Sequence, residues 1–162
     1  MISEARLKEL MTYDPETGDF AFLKRRGYRG AGLKAGSMTA FGYWRIRIDR
    51  REYHAHRLAW LYVYGEWPEK DIDHINAIKT DNRIANLRIA TPAQNNANQP
   101  LTSRNSSGFK GVTWHKRCGK WQAAIKVSGR TFHLGLFERA EDAHAAYVNA
   151  AKEHYGECAR AA

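Results

Sequence analysis

The run Gln99 to Gly108, QPLTSRNSSG, constrains the fold of this chain more than any other stretch. It is polar and rich in breakers and has no hydrophobic period, so no helix or strand can bury a face there. The expectation is one unit over residues 1–98, a linker over 99–108 and a second unit over 109–158. Of the 162 residues, 43% are hydrophobic, which permits folded cores. A domain of about 50 residues is nevertheless marginal by itself.

The first unit opens with an amphipathic pattern over residues 3–12, with Leu7, Leu10 and Met11 on one side of a short helix. Asp14-Pro15-Glu16-Thr17-Gly18 has the chemistry of a turn. Phe20 to Leu23 and Tyr43 to Ile48 read as strands. In the second, Trp44, Ile46 and Ile48 alternate with Arg45 and Arg47, and either face suits solvent. His56 to Tyr64 is rich in Leu, Trp and Tyr and predicts a packed helix. His54 and His56 have the HxH spacing of a strand-borne metal pair. With His56 opening a helix and no third ligand suitably spaced, both are expected to pack rather than to coordinate.

Chemistry concentrates in residues 73–96, DHINAIKTDNRIANLRIATPAQNN. Ile72-Asp73-His74 reads as a short strand, Thr80-Asp81-Asn82-Arg83 as a polar turn and Leu87-Arg88-Ile89 as a returning strand. Thr91 suits an N-cap and Pro92 the first helical position, where its missing N–H costs little. Asn95 then lies about one turn into the helix and could face back towards the first strand. This strand–loop–strand–helix pattern would gather Asp73, His74 and Asn95. An Asp-His pair alone would be ordinary loop chemistry; four residues in register with such signals fit single-metal hydrolysis of a phosphodiester. Asp73 offers a hard oxygen ligand for a magnesium-like ion, and Asn95 offers a second. His74 is the side chain able to take a proton near neutral pH. Asn86 is placed to hold either the imidazole or its loop.

These residues resemble the HNH nucleases with a ββα-metal site, in particular the small phage and intron-encoded homing endonucleases. The resemblance begins at Tyr53-His54-Ala55-His56-Arg57-Leu58-Ala59-Trp60 and Gly65-Glu66-Trp67-Pro68. It continues through Asp73-His74-Ile75-Asn76, Asp81-Asn82-Arg83 and Asn86-Leu87-Arg88 to Asn95. It implies Asp73 and Asn95 as metal ligands, His74 as general base and Asn86 as the residue that positions the base. Asn95 stands where many family members carry histidine, which favours Mg²⁺ or Mn²⁺ over Zn²⁺; no zinc is expected.

The charge balance agrees with a polyanionic partner. Lys and Arg total 26 against 17 Asp and Glu, a formal net charge of +9. Such an excess favours nucleic acid through counterion release. From Phe20 to Ile48 there are seven basic residues and no acidic one. Lys24, Arg25, Arg26 and Arg29 lie there among glycines, as in a basic loop that follows a phosphate backbone. Cys118 and Cys158 have no zinc or disulfide-framework spacing and read as thiols in a reducing cytoplasm. No apolar run approaches the roughly 20 residues of a membrane span, and the start lacks signal-peptide character.

The second unit offers three strands, Phe109 to Trp114, Trp121 to Val127 and Thr131 to Phe137, joined by tight turns at Lys116-Arg117-Cys118-Gly119 and Ser128-Gly129-Arg130. Alternation predicts Phe132, Leu134 and Leu136 on one face of the third strand, opposite Thr131, His133 and Gly135. Glu138 to His154 follows as a helix with Ala140, Ala143, Tyr147, Ala150 and Ala151 towards the sheet, leaving the other sheet face open and basic. The pattern resembles the DNA-binding domain of plant ethylene-response and apetala transcription factors, which also occurs in phage homing endonucleases. Its carriers are Gly108-Phe109-Lys110-Gly111-Val112, Gly119-Lys120-Trp121, Ala123-Ala124-Ile125, Leu134-Gly135-Leu136-Phe137 and Ala140-Glu141-Asp142-Ala143. The resemblance implies a sheet in the major groove, with Lys110, Lys120 and Lys126 at basic contact positions. Thr113, Thr131 and His133 depart from that family, so no base preference carries over. Lys116, Arg117 and Arg130, in the turns, are expected phosphate contacts.

The expected fold is therefore α+β: a ββα-metal nuclease domain followed by a three-stranded antiparallel sheet packed on one helix. The expected function is Mg²⁺-dependent, site-specific cleavage of double-stranded DNA of the homing type, one nick per active site. The protein would act as a monomer or homodimer, without a membrane, in the cytoplasm of a bacterial host and from a phage gene. The alternatives are a non-cleaving DNA-binding regulator derived from a nuclease and, with less support, an RNA-binding protein.

Overall fold

A computed structural model describes residues 1–24, 31–102, 105–156 and 159 of the chain. The fold is mixed α and β, with four helices and several small antiparallel sheets, as the α+β expectation requires. The chain divides into two compact units, Met1–Ile89 and Ala90–Ala162.

In the first unit, helix α1 (Glu4–Leu10) is capped by Ser3, whose side chain accepts the Arg6 amide N–H at 3.3 Å. The helix ends one residue before Met11, short of the span its apolar pattern predicts. Met11-Thr12-Tyr13 instead forms β1 (Met11–Tyr13), paired with β2 (Phe20–Phe22) in the register Met11↔Phe22. Aromatic pairing across two strands overrides the helical period there, and Met11 stays fully buried either way. The intervening turn closes with a Gly18 N–H to Asp14 O bond of 2.8 Å.

A second sheet orders β3 (Ser37–Met38), β4 (Trp44–Ile48) and β5 (Arg51–His54). Ile46 and Ile48 are buried, so the arginine face of β4 is the wet one, and Arg45 pairs there with Glu52 at 2.8 Å. Between β4 and β5 the turn residues Asp49 and Arg50 both have positive φ, 46° and 66°, in a two-residue hairpin without glycine. Helix α2 (Ala55–Tyr64) buries Leu58, Ala59 and Leu61 against Leu7, Met11, Phe20 and Ile46. It stops at Gly65, whose φ of 79° gives the left-handed cap. Next come β6 (Asp71–His74), a single 3₁₀ turn at Ile84–Asn86 and β7 (Leu87–Ala90), which pairs with β6.

The second unit begins with α3 (Pro92–Asn98). Thr91 caps it in a reciprocal box: its hydroxyl accepts the Gln94 N–H at 3.3 Å, and Gln94 Oε1 accepts the Thr91 N–H at 2.9 Å. The strands β8 (Val112–His115), β9 (Lys120–Val127) and β10 (Arg130–Phe137) form an antiparallel meander covered by α4 (Ala140–Tyr155). Ala143, Tyr147, Ala151 and Tyr155 repeat every four residues along α4 and are buried. Gly111 admits this packing, because a Cβ there would lie 2.0 Å from the Tyr147 ring.

One detail of β10 departs from simple alternation. The pairing with β9 jumps between His133 and Gly135, a bulge with φ +140° at Gly135. Beyond it Leu136 pairs with Gln122 and is 45% exposed, while Phe137 packs on the core beside Leu134. Leu136 therefore belongs to the open face, opposite to its expected side. Among the described residues no helix is long and apolar enough to cross a membrane.

Candidate active site

Asp73 and His74 close β6, and both are buried. Asp73 is only 4% exposed, and its Oδ2 accepts two hydrogen bonds from Arg88 on β7, from Nε at 2.9 Å and from Nη2 at 2.7 Å. A buried carboxylate requires such compensation. The β6–β7 pairing explains the geometry, because both side chains rise from adjacent strands.

His74 lies 3.3 Å through Nε2 from Oδ1 of Asn82. The Asn82 amide is oriented by its own Nδ2–H, which donates to the Thr80 carbonyl at 3.2 Å. Oδ1 is thus the end that meets the imidazole, so Nε2 carries the hydrogen and Nδ1 is the basic nitrogen. Burial pulls the His74 pKa below its ordinary value, against the raising effects of Asn82, Asp73 and Asp81. The ring is consequently neutral at physiological pH and competent to accept a proton.

Asn82 is itself anchored from two sides. Its carbonyl accepts the Tyr13 hydroxyl at 2.8 Å, and burial pushes that phenol up to about 12. Gly18 lies against it so closely that an added Cβ would fall 2.5 Å from the Asn82 carbonyl carbon. The β1–β2 turn thereby braces the loop that follows β6.

Asn86 secures the loop rather than the ring. Its Oδ1 accepts the Asn76 N–H at 3.0 Å, and its Nδ2 donates to Asn76 Oδ1 at 3.0 Å and to the Asp81 carbonyl at 2.9 Å. Asn76 Nδ2 in turn donates to Asp81 Oδ2 at 2.7 Å. Arg83 holds the Asp81 carboxyl down at about 2 through a paired contact of 2.8 and 2.6 Å. Sequence reasoning left Asn86 a choice of ring or loop; the side chain that meets the ring is Asn82, and Arg88 and Asn76 complete the framework. Asn82 stands among the residues that carry the resemblance but with no role assigned to it, because only the folded loop brings it back onto His74.

Two imidazoles and a phenol pack on one side of His74. The His54 and His56 rings stack with centroids 5.3 Å apart, His56 meets His74 edge-on at 5.1 Å, and Tyr43 contacts all three at 5.4, 5.5 and 6.2 Å. His56 is buried, its pKa falls to about 3 because of that burial, and its Nδ1 has no hydrogen-bond partner among the described residues.

Among the described residues no group of three or more His, Cys, Asp or Glu side chains is arranged to hold a metal ion. A buried carboxylate offering oxygen nonetheless suits a hard divalent cation that takes few protein ligands and completes its shell from water and phosphate. Asn95, the other expected ligand, is half-buried on α3, which clusters with the second unit.

The basic candidates differ in their surroundings. Lys24 is exposed, and Arg25, Arg26 and Arg29 lie outside the described residues. Lys116, Arg117, Lys126 and Arg130 are exposed. Lys120 pairs with Glu138 at 2.8 Å. The Lys110 ammonium donates to the carbonyls of Ala97 and Gln99, the latter at 2.7 Å, and so caps the end of α3.

Comparison with known proteins meets this geometry at the same residues. Residues 53–97 match the family model described as HNH endonuclease. The chain is 32% identical over 76 residues to Protein 3.8 of Escherichia phage T7, a match covering 46% of this chain and 63% of that protein. It is 30% identical over 116 residues to an uncharacterized HNH endonuclease of Acanthamoeba polyphaga mimivirus, covering 70% of this chain and 59% of the relative. The chain thus spans less than two thirds of the length of either relative. The matched segment, residues 53–97, carries Asp73, His74 and Asn86 and is similar to HNH endonuclease domains.

Proposed function

We propose that this protein is a divalent-metal-dependent DNA endonuclease of the homing type that nicks one strand per binding event. The observation that carries the reading is the neutral, buried His74, held by Asn82 in the tautomer that leaves Nδ1 basic, directly beside the Asp73 carboxylate.

His74 Nδ1 takes the proton of the attacking water. Asn82 keeps the ring from turning, and the Asn86–Asn76–Asp81 network keeps the loop that carries it. Asp73 would offer a magnesium or manganese ion a hard oxygen ligand, with water and phosphate oxygens completing its shell. Such an ion, when bound, supplies stabilisation of the charge that grows on the scissile phosphate and the leaving 3′ oxygen. The products are 5′-phosphate and 3′-hydroxyl ends. Residues 1–98 carry the cutting centre, and residues 109–158 hold the duplex through the open face of their sheet, as in the plant ethylene-response domains. Lys116, Arg117, Lys126 and Arg130 contact phosphates there, and Lys24 with Arg25, Arg26 and Arg29 does so from the first unit. The likeness to a phage T7 protein supports a phage gene acting in the cytoplasm of an infected bacterium.

The test is nicking of supercoiled plasmid DNA by the full chain with magnesium, which EDTA abolishes. His74→Ala should lose cleavage and keep duplex affinity within about twofold. Tight DNA binding with no cleavage under any divalent ion would instead identify a regulator.

A further inference from the structure

The turn between β3 and β4 carries the most exposed aromatic ring among the described residues. Phe41 is 80% exposed, and Met38 on the same hairpin is 61% exposed. An isolated apolar side chain in water needs no explanation, but this one is displayed by a rigid support. Thr39 N–H donates to the Tyr43 carbonyl at 2.7 Å, Gly42 N–H donates to the Thr39 carbonyl at 3.0 Å, and the Tyr43 N–H reaches the Thr39 hydroxyl at 3.1 Å.

The support is also fastened to the catalytic loop. Lys79 Nζ donates to the Phe41 carbonyl at 3.2 Å and stands 4.7 Å from the centre of the Tyr43 ring. Two residues from Phe41, that same Tyr43 ring packs on His54, His56 and His74. The tip therefore has a fixed place beside the proposed general base. Ile75 and Ile78, on the same loop, are 44% and 55% exposed and extend the apolar rim. Lys79 supplies the charge complementarity, since its positive field reaches as far as His74.

A rigid apolar projection beside a cation and a hydrolytic centre matches one occupant, the stacked bases of a duplex whose backbone lies at His74. Apolar wedges of this kind enter between base steps, unstack them in part and bend the duplex around the protein. We propose that Phe41 is such a wedge, inserting at a base step adjoining the scissile phosphate and bending the DNA into the site. This rests on the endonuclease reading above. Behind the wedge, a groove lined by Met38, Ala40, Tyr53 and His54, with the Arg45–Glu52 ion pair at its side, offers the displaced step a partly apolar and aromatic wall.

The experiment uses the full chain carrying His74→Ala, so that DNA remains intact, and duplexes centred on the mapped nick with 2-aminopurine placed at successive positions. Binding should raise fluorescence several-fold at one step near the nick. Adding Phe41→Ala should remove that rise, and Phe41→Trp should keep it. In the cleaving chain, Phe41→Ala should slow nicking by tenfold or more, and a mismatch at that step, already unstacked, should restore most of the rate. A chain that nicks DNA but gives the same fluorescence with Phe41→Ala overturns the wedge and leaves the endonuclease standing. A chain that neither binds nor nicks duplex DNA overturns both. A dimer in sedimentation that dissociates on Phe41→Ala, with nicking unaltered, assigns the ring to self-association and likewise overturns the wedge.

Discussion

Arg88 meets Asp73 from the neighbouring strand, with Nε 2.9 Å and Nη2 2.7 Å from the same carboxylate oxygen. The pair is sheltered, with side-chain exposures of 19% and 5%. Arg88→Met leaves the buried carboxylate without its cation, which costs about 3–5 kcal/mol by the general behaviour of such pairs. Urea unfolding should report that loss, and millimolar magnesium should recover part of it in the variant by binding the bared oxygen. A midpoint unmoved by the substitution would mean that Arg88 is not what compensates Asp73.

Asn82 and Asn86 should separate when tested. Asn82→Ala frees the His74 ring to adopt the other tautomer, so single-turnover nicking should fall roughly 10- to 100-fold with DNA affinity nearly constant. Asn86→Ala breaks three hydrogen bonds to the half-buried Asn76 and Asp81, so it should cost about 1–3 kcal/mol of stability. Equal kinetic damage with equal stability in both variants would refute the division of labour.

Acid should weaken the fold through His56. Its pKa is near 3 in the folded chain and 6.5 otherwise, so the unfolded chain binds the proton first. Stability is complete above pH 6.5 and drops as pH falls from there towards 3, by up to about 1.4 kcal/mol per pH unit for this one group. His74, lowered in the same direction, adds to the slope. Chemical denaturation between pH 7 and pH 5 measures it, and His56→Phe should flatten the curve.

Gly111→Ala should destabilise the second unit by about 2–4 kcal/mol, combining left-handed backbone strain with a collision against Tyr147. Gly119→Ala, at φ +61° with open space around it, carries the strain alone and should cost about 1–2 kcal/mol. Thermal melts of the two variants should therefore differ.

Much of the architecture was legible because it is local. Thr91-Pro92 announces a helix start by capping chemistry, Ser128-Gly129-Arg130 a tight hairpin turn, whose last residue proves to open β10, and the alanines of α4 a close helix–sheet contact. Four features were not legible, because each depends on how the chain folds rather than on local spacing. Met11 left its helical pattern because β2 offered a partner strand. Leu136 changed face because one extra residue entered β10. The Asn82 contact with His74 depends on how the loop folds back against Tyr13 and Gly18, which no spacing rule encodes. The Asp73-His74 pair was legible as chemistry, but its arginine was not, since Arg88 differs from any strand arginine only by its buried neighbour.

The bulge in β10 gives the uncovered sheet face two unlike ends. Near the Ser128-Gly129 turn stand Lys126 and Thr131; towards the far end, where the Lys116-Arg117 turn joins β8 to β9, Leu136 and Thr113 flank Gln122. A surface whose two ends carry different side chains has a heading, so it distinguishes left from right along whatever it lies upon. Reversed upon a duplex, it would face different atoms. Polarity of this sort suits a protein that marks one strand of an asymmetric site rather than reading a palindrome.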